Sequence, residues 1–126
     1  MESILNILQD GTKIWKNLNG VPHREDGPAY EDSDGTKEWY INGQLHRVDG
    51  PAIEYPNGDK SWFQYGERHR EDGPAIQWAD GHNEYWLNGK KVSENIIIYL
   101  TLQKNKINYL NKNLYINSIK GLFNRN

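Results

Sequence analysis

Short segments of alternating apolar and polar side chains, separated by glycine-containing turns, form the dominant pattern of this chain. In residues 37–41, Trp39 and Ile41 fall on one side of an extended strand and Tyr40 falls on the other. Residues 52–55 show the same alternation and predict the next strand. The Asp-Gly and Asn-Gly dipeptides between such segments predict β-hairpins with type I′ turns, because these turns need positive φ at both central positions.

This hairpin pattern is repeated along the chain. Turn dipeptides recur at spacings of 24, 23 and 23 residues, and an aromatic residue follows each at a constant offset. The first turns are Asp10-Gly11, Asp34-Gly35, Asn57-Gly58 and Asp80-Gly81, the aromatic residues are Trp15, Trp39, Trp62 and Tyr85, and the second turns are Asn19-Gly20, Asn42-Gly43, Tyr65-Gly66 and Asn88-Gly89. We predict a repeat array over residues 10–94, with three full units and one truncated unit, after a lead-in of residues 1–9.

A seven-residue run, His-Arg-x-Asp-Gly-Pro-Ala, ends each full unit, and we call it the joint. The joints occupy residues 23–29, 46–52 and 69–75. Since a residue set present in every full unit is expected to maintain that unit, we assign a structural role to His23, Arg24, Asp26, His46, Arg47, Asp49, His69, Arg70 and Asp72. In the second joint we expect Arg47 to pair with Asp49 and His46 to orient the tight turn that follows it.

The fold class that these patterns predict is mainly β, an elongated antiparallel meander of hairpin repeats in a single sheet. The aromatic positions Trp15, Trp39, Trp62 and Tyr85, together with Tyr30, Ile53 and Ile76, are expected to form the spine of a shared core. After Ser93 the period breaks, and Leu100, Ile107 and Leu114 recur at helical spacing. We predict that residues 95–126 form one or two α-helices that cap the last apolar face of the array.

Charge is distributed unevenly between these two regions. Residues 1–94 hold seventeen acidic and ten basic residues, a net charge of −7, whereas residues 95–126 hold five basic residues and no acidic one. The opening segment has no basic region followed by a long apolar stretch, and the longest apolar stretch, residues 96–102, is far too short to cross a bilayer. We therefore expect no membrane span and a cytoplasmic location, or the host cytoplasm if a phage encodes the chain.

No catalytic pattern stands out. The chain has no cysteine, no Gly-x-Ser-x-Gly run and no phosphate-binding glycine loop before a helix. The three joint histidines lie about one unit apart, too far to share a metal ion. The sequence therefore predicts a protein that is not an enzyme and has no cofactor or metal site. Nucleic acid is disfavoured as a partner, because phosphate repels an array of charge −7.

The positions best suited to bind a partner are those that differ between units within a constant frame. On the strand side opposite the tryptophans, Lys16 is followed by Tyr40, Phe63 and Trp86, three large rings in successive units. Contiguous exposed apolar surface is typical of an interface. Acidic residues that could form its rim include Glu31, Glu54 and Glu67. The equally open alternative is that the C-terminal helices cover this face.

The pattern resembles the MORN repeat family, in its divergent variant from bacteria, phages and large DNA viruses. The resemblance covers about two-thirds of the chain and rests on the aromatic-x-x-Asn-Gly-x-x-His core of residues 39–46 and on the runs ending at His23 and His69. The arginine after each of these histidines, where that family has glycine, and the Asp-Gly-Pro-Ala tail are departures from it.

Together these features predict a non-catalytic protein–protein interaction module. The resemblance adds the expectation of a phage or mobile-element inhibitor of a host enzyme or defence complex. Two other classes stay open: a structural repeat that self-associates through its sheet edges, and a protein that binds or mimics nucleic acid.

Overall fold

The structure, a computed structural model, describes residues 2–123, which form thirteen β-strands and one α-helix. The strands are β1 Ile4–Ile7, β2 Lys13–Lys16, β3 Tyr30–Glu31, β4 Lys37–Glu38, β5 Tyr40–Ile41, β6 Gln44–Leu45, β7 Ile53–Glu54, β8 Lys60–Ser61, β9 Phe63–Gln64, β10 Glu67–Arg68, β11 Ile76–Gln77, β12 Asn83–Leu87 and β13 Lys90–Val92, and the helix is α1 Glu94–Phe123.

Nine of the strands form one antiparallel meander in the order β1-β2-β3-β4-β7-β8-β11-β12-β13. Two short hairpins, β5–β6 and β9–β10, lie beside this sheet, and we call them the side hairpins. The predicted fold class is confirmed, with a single helix following the sheet.

Each side hairpin begins at a tryptophan whose backbone N–H and C=O groups bond to two different segments of the chain. The Trp39 N–H donates to the Ala52 carbonyl at 2.7 Å, while the Trp39 carbonyl accepts from the His46 N–H at 3.0 Å. The strand predicted over residues 37–41 is thus split into β4, which pairs in the main sheet, and β5, which pairs in the side hairpin. Trp62 splits the next unit in the same way.

In the second, third and fourth units the two turns use different conformations. At Asn42-Gly43 both residues have positive φ, 48° and 80°, as the predicted type I′ turn requires. At Asp34-Gly35 only the glycine does, at 97°, and the Asp34 carboxylate accepts from the Thr36 N–H at 2.8 Å. The type I′ prediction was therefore wrong for the first turns, where a side chain that bonds two residues ahead stabilises a different loop. It was also wrong for Asn19-Gly20, where only the glycine has positive φ.

The buried apolar core of the described residues is small and includes the last residue of each joint. The alanines that end the joints, Ala29, Ala52 and Ala75, are completely buried. Each accepts a hydrogen bond from a tryptophan backbone N–H, which brings two segments of backbone close together. Alanine suits these sites because a larger side chain would hold the segments apart.

The predicted aromatic spine is only partly correct. Tyr30, Ile53 and Ile76 do occupy one continuous line of cross-strand neighbours in the main sheet, and Ile53 is buried. The tryptophans are half-buried, and the ring–ring contacts found within residues 2–123 are Tyr30 with Tyr40 and His46 with Tyr65. A tryptophan of one unit therefore does not stack on the tryptophan of the next.

Most of the segment predicted as a lead-in belongs to the sheet. β1 pairs with β2 across the Asp10-Gly11 turn, so that Ile4 lies opposite Lys16 and Ile7 opposite Lys13. The Leu8 N–H donates to the Thr12 carbonyl at 2.8 Å and closes this first hairpin. The array therefore starts before Asp10, with a strand that belongs to no complete unit.

α1 takes the place of the missing fourth joint. It begins directly after Ser93, which occupies the position equivalent to Arg70. Ile97 in its first turns is buried, and a cleft between helix and array is lined by Gly73, Tyr85 and Ile97. Burial and the neighbouring Glu94 carboxylate raise the pKa of the Tyr85 hydroxyl. Within residues 2–123, no helix has the length and apolar character needed to span a membrane.

The first turns make stability depend on pH. Hydrogen bonds from Thr36 hold the pKa of Asp34 below its ordinary value of 3.8, so the folded state binds its proton less readily than the unfolded state. This contribution is present above about pH 4 and is lost as the pH falls through the lowered folded-state pKa. We expect Asp34→Asn to keep neutral-pH stability and weaken the acid sensitivity, since Asn57 forms the same side-chain bond to Asp59. Thermal melts from pH 7 to pH 2, with Asp34→Ala as the turn-breaking control, measure this; an unchanged acid response in Asp34→Asn would contradict it.

Candidate functional site

In each joint, the arginine lies over the ring of the tryptophan that precedes the joint in the same unit. The Arg47 guanidinium carbon lies 4.0 Å from the centre of the Trp39 ring. Its Nε donates to the Asp49 carboxylate at 3.3 Å, and its Nη1 donates to the Pro51 carbonyl at 3.0 Å. The predicted pairing of Arg47 with Asp49 is therefore present, and the guanidinium also forms part of the packing.

The other two joints repeat this geometry closely. Arg24 lies 3.9 Å above Trp15, and Arg70 lies 3.8 Å above Trp62. The glycine in each joint leaves room for the guanidinium: a Cβ on Gly50 would lie 2.7 Å from the Arg47 Cζ. Glycine is needed here for space rather than for a positive φ.

The joint histidines connect one unit to the next. The His23 Nδ1 accepts a hydrogen bond from the backbone N–H of Asn42, at 2.9 Å, in the second turn of the following unit. His46 and His69 do the same for Tyr65 and Asn88, each at 3.0 Å. We predicted that His46 would orient the turn of its own joint; instead its imidazole holds the next side hairpin, because that is where the ring nitrogen finds a donor.

His23 is the largest side chain that is completely buried in the described chain, with 1% of its surface exposed. Since Nδ1 accepts from Asn42, the neutral ring carries its proton on Nε2. Nε2 lies 3.6 Å from the Glu25 carboxylate, too far for a hydrogen bond. Its buried N–H has no hydrogen-bond partner within residues 2–123.

The three rings predicted to face a partner, Tyr40, Phe63 and Trp86, are half-buried, and we call them the aromatic row. Two are oriented by carboxylates two residues earlier. The Tyr40 hydroxyl donates to Glu38 at 2.8 Å, and the Trp86 Nε1 donates to Glu84 at 3.0 Å. Burial, and then this Glu38 carboxylate, raises the pKa of the Tyr40 hydroxyl strongly. The Tyr40 and Trp86 rings are therefore held in defined orientations.

A basic side chain, Arg68, lies between the Phe63 and Trp86 rings of the row. The Arg68 guanidinium carbon lies 5.1 Å from the ring centres of both Phe63 and Trp86. Arg68 is the cross-strand partner of Phe63, and Lys91 is the cross-strand partner of Trp86 and pairs with Glu84 at 3.2 Å. The row is thus a mixed aromatic and charged surface.

α1 lies on the opposite side of the strands from the aromatic row. The clefts along the helix are lined by Tyr85 and Leu87, which alternate with Trp86 along β12, and by the third joint. The hydrogen bond from Arg70 is the main cause of the lowered pKa of the Asp72 carboxyl, and Lys104 of the helix adds a smaller contribution in the same direction. Of the two alternatives for this face, the structure favours a row that the helix leaves uncovered.

The predicted acidic rim does not join the row. The Glu31 Oε1 lies 3.6 Å from the Arg24 Nη1, and the Glu54 Oε1 lies 3.1 Å from the Arg47 Nη1. Both carboxylates therefore pair with joint arginines on the tryptophan side of the sheet. Glu67 is exposed at the start of β10 and lies beside Gly89 of the next turn. The sequence pattern placed these acidic residues together because it did not show which face each strand position presents.

The sequence interpretation also missed Arg68, Glu38 and Glu84 as neighbours of the row. The signal was available: Arg68 pairs with Phe63 across the Tyr65-Gly66 turn, and each glutamate lies two residues before a ring on the same strand face. A cross-strand alignment of each hairpin would have found them.

Comparison with known proteins adds no further assignment. No known protein family matches the chain, and no curated protein or solved structure is significantly similar to it. The resemblance to MORN repeats therefore stays a prediction. Within the described residues, 2–123, no group of three or more His, Asp or Glu side chains is placed to hold a metal ion.

Gly50→Ala should disrupt the second joint. The added methyl group would displace the guanidinium from Trp39 and weaken its bonds to Asp49 and Pro51, at a cost of about 1–3 kcal/mol. Gly121→Ala is the matched control, because that glycine lies in α1 with no atom within 4 Å of the added Cβ, and its effect should be neutral or stabilising by up to about 1 kcal/mol. Urea unfolding of both variants measures the difference; equal stabilities would contradict the packed-arginine geometry.

His23→Ala should destabilise the protein by about 2–4 kcal/mol, because it leaves a cavity and removes the acceptor for the Asn42 N–H. His46→Ala should cost less, since His46 is only half-buried. The exposed His82 is the neutral comparison, and His82→Ala should stay within about 0.5 kcal/mol of the parent. Denaturant unfolding would refute the inter-unit role if all three variants were equally stable.

Proposed function

We propose that this protein is a non-catalytic interaction module that binds another protein through the aromatic row. The observation that carries the proposal is that Tyr40, Phe63 and Trp86 occupy the strand face opposite α1, with Arg68 between two of them. The rings are half-buried, and on a sheet face that the helix does not cover their exposed parts are available to contact a partner.

The orientation of the rings supports this proposal. Side chains already held in their binding conformation lose little entropy on association, so more of the contact energy appears as affinity. Glu38 holds Tyr40, Glu84 holds Trp86, and the backbone beneath them belongs to the hydrogen-bonded side hairpins and β12. Trp, Tyr and Arg are also the residues that most often dominate interface energetics.

The charges near the row favour a protein over a nucleic acid. Lys91 is paired with Glu84, and Arg68 lies between two rings, so neither forms part of a continuous basic groove. Residues 1–94, which contain the row, carry a net charge of −7. The partner surface that fits is apolar with an acidic side chain opposite Arg68. The resemblance to viral and phage repeats adds a host enzyme or defence complex as the class of partner.

The test is affinity capture with the purified chain, from an extract of the organism that encodes it or of that organism's host. The triple variant Tyr40→Ala, Phe63→Ala, Trp86→Ala should bind the captured protein about thirtyfold more weakly or worse, which corresponds to a hot-spot loss of about 2 kcal/mol. Titration by calorimetry with the purified partner measures the change.

Tyr65→Asn is the matched control. Tyr65 is an exposed aromatic outside the row, and asparagine already occupies the equivalent turn positions 42 and 88 with the same positive φ. This variant should bind like the parent. Circular dichroism checks that the triple variant is folded; undiminished binding by the folded triple variant would refute the row as the docking surface.

A further inference from the structure

Among the described residues, 2–123, no strand pairs with the outer edge of the first strand of the sheet. β1 is the terminal strand of the nine-stranded order and pairs only with β2 among the described strands. We propose that this edge is a self-association site, at which β1 of two copies pair antiparallel about a twofold axis through Asn6. The proposal concerns a different surface from the aromatic row and does not depend on the function of that row.

The hydrogen-bonding groups that point outward from β1 can be identified from the pairing. Leu8 bonds to Thr12 within the hairpin, and bonded positions alternate along an antiparallel pair. Ile4 and Asn6 therefore bond inward to β2. The N–H and C=O groups of Leu5 and Ile7 face away from the sheet, where a further strand can pair with them.

The side chains of this edge are apolar and exposed on both faces of the strand. The exposed fractions are 57% for Ile4, 43% for Leu5, 63% for Ile7 and 48% for Leu8. No charged residue lies in residues 3–9. Natural edge strands are usually protected from pairing by charge, proline or a covering segment, and β1 has none of these features in its own sequence.

The opposite edge of the sheet differs in this respect. β13 is the last strand of the order and carries Lys90 and Lys91, both exposed, and α1 begins two residues after it ends. Exposed lysines on an edge oppose the addition of another strand. Pairing of β1 with β13 of a second copy, which would give an open-ended filament, is therefore disfavoured relative to pairing of β1 with itself.

The sequence of the edge is self-complementary. Residues 4–8 read Ile-Leu-Asn-Ile-Leu, which has the same apolar–polar pattern in both directions about Asn6. A twofold interface requires this property, because each position meets its mirror position in the second copy. With Asn6 on the axis, Leu5 of each copy pairs with Ile7 of the other, and both residues present outward-facing backbone groups.

This interface is small. Four partly exposed aliphatic side chains and one strand edge bury less than the roughly 800 Å² per partner of a standard interface, so the dimer should form reversibly and depend on concentration. We expect the weight-average mass in analytical ultracentrifugation to rise from monomer towards dimer, and no further, as the concentration increases. A steadily increasing mass would indicate filaments and would overturn the twofold arrangement.

A single cysteine tests the predicted register. The chain contains no cysteine, so Asn6→Cys introduces a unique thiol. Across the twofold axis the two residues would form a non-hydrogen-bonded pair, with Cα atoms about 4.5 Å apart, within the range of a disulfide. We expect mild oxidation to give a covalent dimer from Asn6→Cys but little from Leu18→Cys, a control at a leucine that is 84% exposed in a turn outside β1. Equal cross-linking of the two variants would overturn the register.

Charge at the edge tests the interface without a cross-link. The double variant Leu5→Lys, Ile7→Lys places like charges opposite each other in the dimer and should stay monomeric at concentrations where the parent dimerises. Leu18→Lys should dimerise like the parent. Amide hydrogen exchange locates the contact: Leu5 and Ile7 should become protected as concentration rises, while protection confined to α1 would assign association to the helix and refute the proposal. A parent chain that is monomeric at every concentration would refute it as well.

Discussion

The stacking of a joint arginine on its tryptophan is the interaction on which the repeat architecture depends. Trp39 is the residue at which the strand passes from the main sheet into a side hairpin. Its ring is covered by the Arg47 guanidinium. The same guanidinium binds Asp49 and the Pro51 carbonyl, so it connects the tryptophan to the segment that leads into the next strand. A chain with only 36% hydrophobic residues can thereby build units around half-buried rings.

The histidines extend this local order along the array. Each joint fixes its own unit, whereas each imidazole accepts a hydrogen bond from the turn of the following unit. Stability in such an array combines contributions within units and contributions between neighbouring units. At the end of the array, where no fourth joint exists, α1 packs against Tyr85 and the third joint and closes the last unit.

The two faces of the sheet consequently differ in role. The tryptophan face holds the joints, the paired glutamates and the helix, and its side chains are engaged in maintaining the array. The other face presents Tyr40, Phe63 and Trp86, whose orientation depends on Glu38, Glu84 and Arg68. The open edge at β1 is a third surface, defined by backbone groups rather than by rings. A dimer formed at this edge would present two aromatic rows, one from each copy, to a binding partner.

The repeat period, the hairpins, the array and a helical C-terminal segment could be predicted from sequence, because turn dipeptides and period-two alternation are local signals. The pairing of Arg47 with Asp49 was also local, since the two residues are two positions apart in the chain. The bond from His46 to Tyr65 could not be predicted, because it joins residues of different units that come together only when the units stack. The same reason explains the acidic residues: sequence alone placed Glu31 and Glu54 near the aromatic row, but strand alternation and the position of the arginines put them on the opposite face. Only the tertiary structure decided which face α1 covers. In the fourth unit Ser93 stands where the other units have the joint arginine, and α1 packs beside Tyr85 on that face.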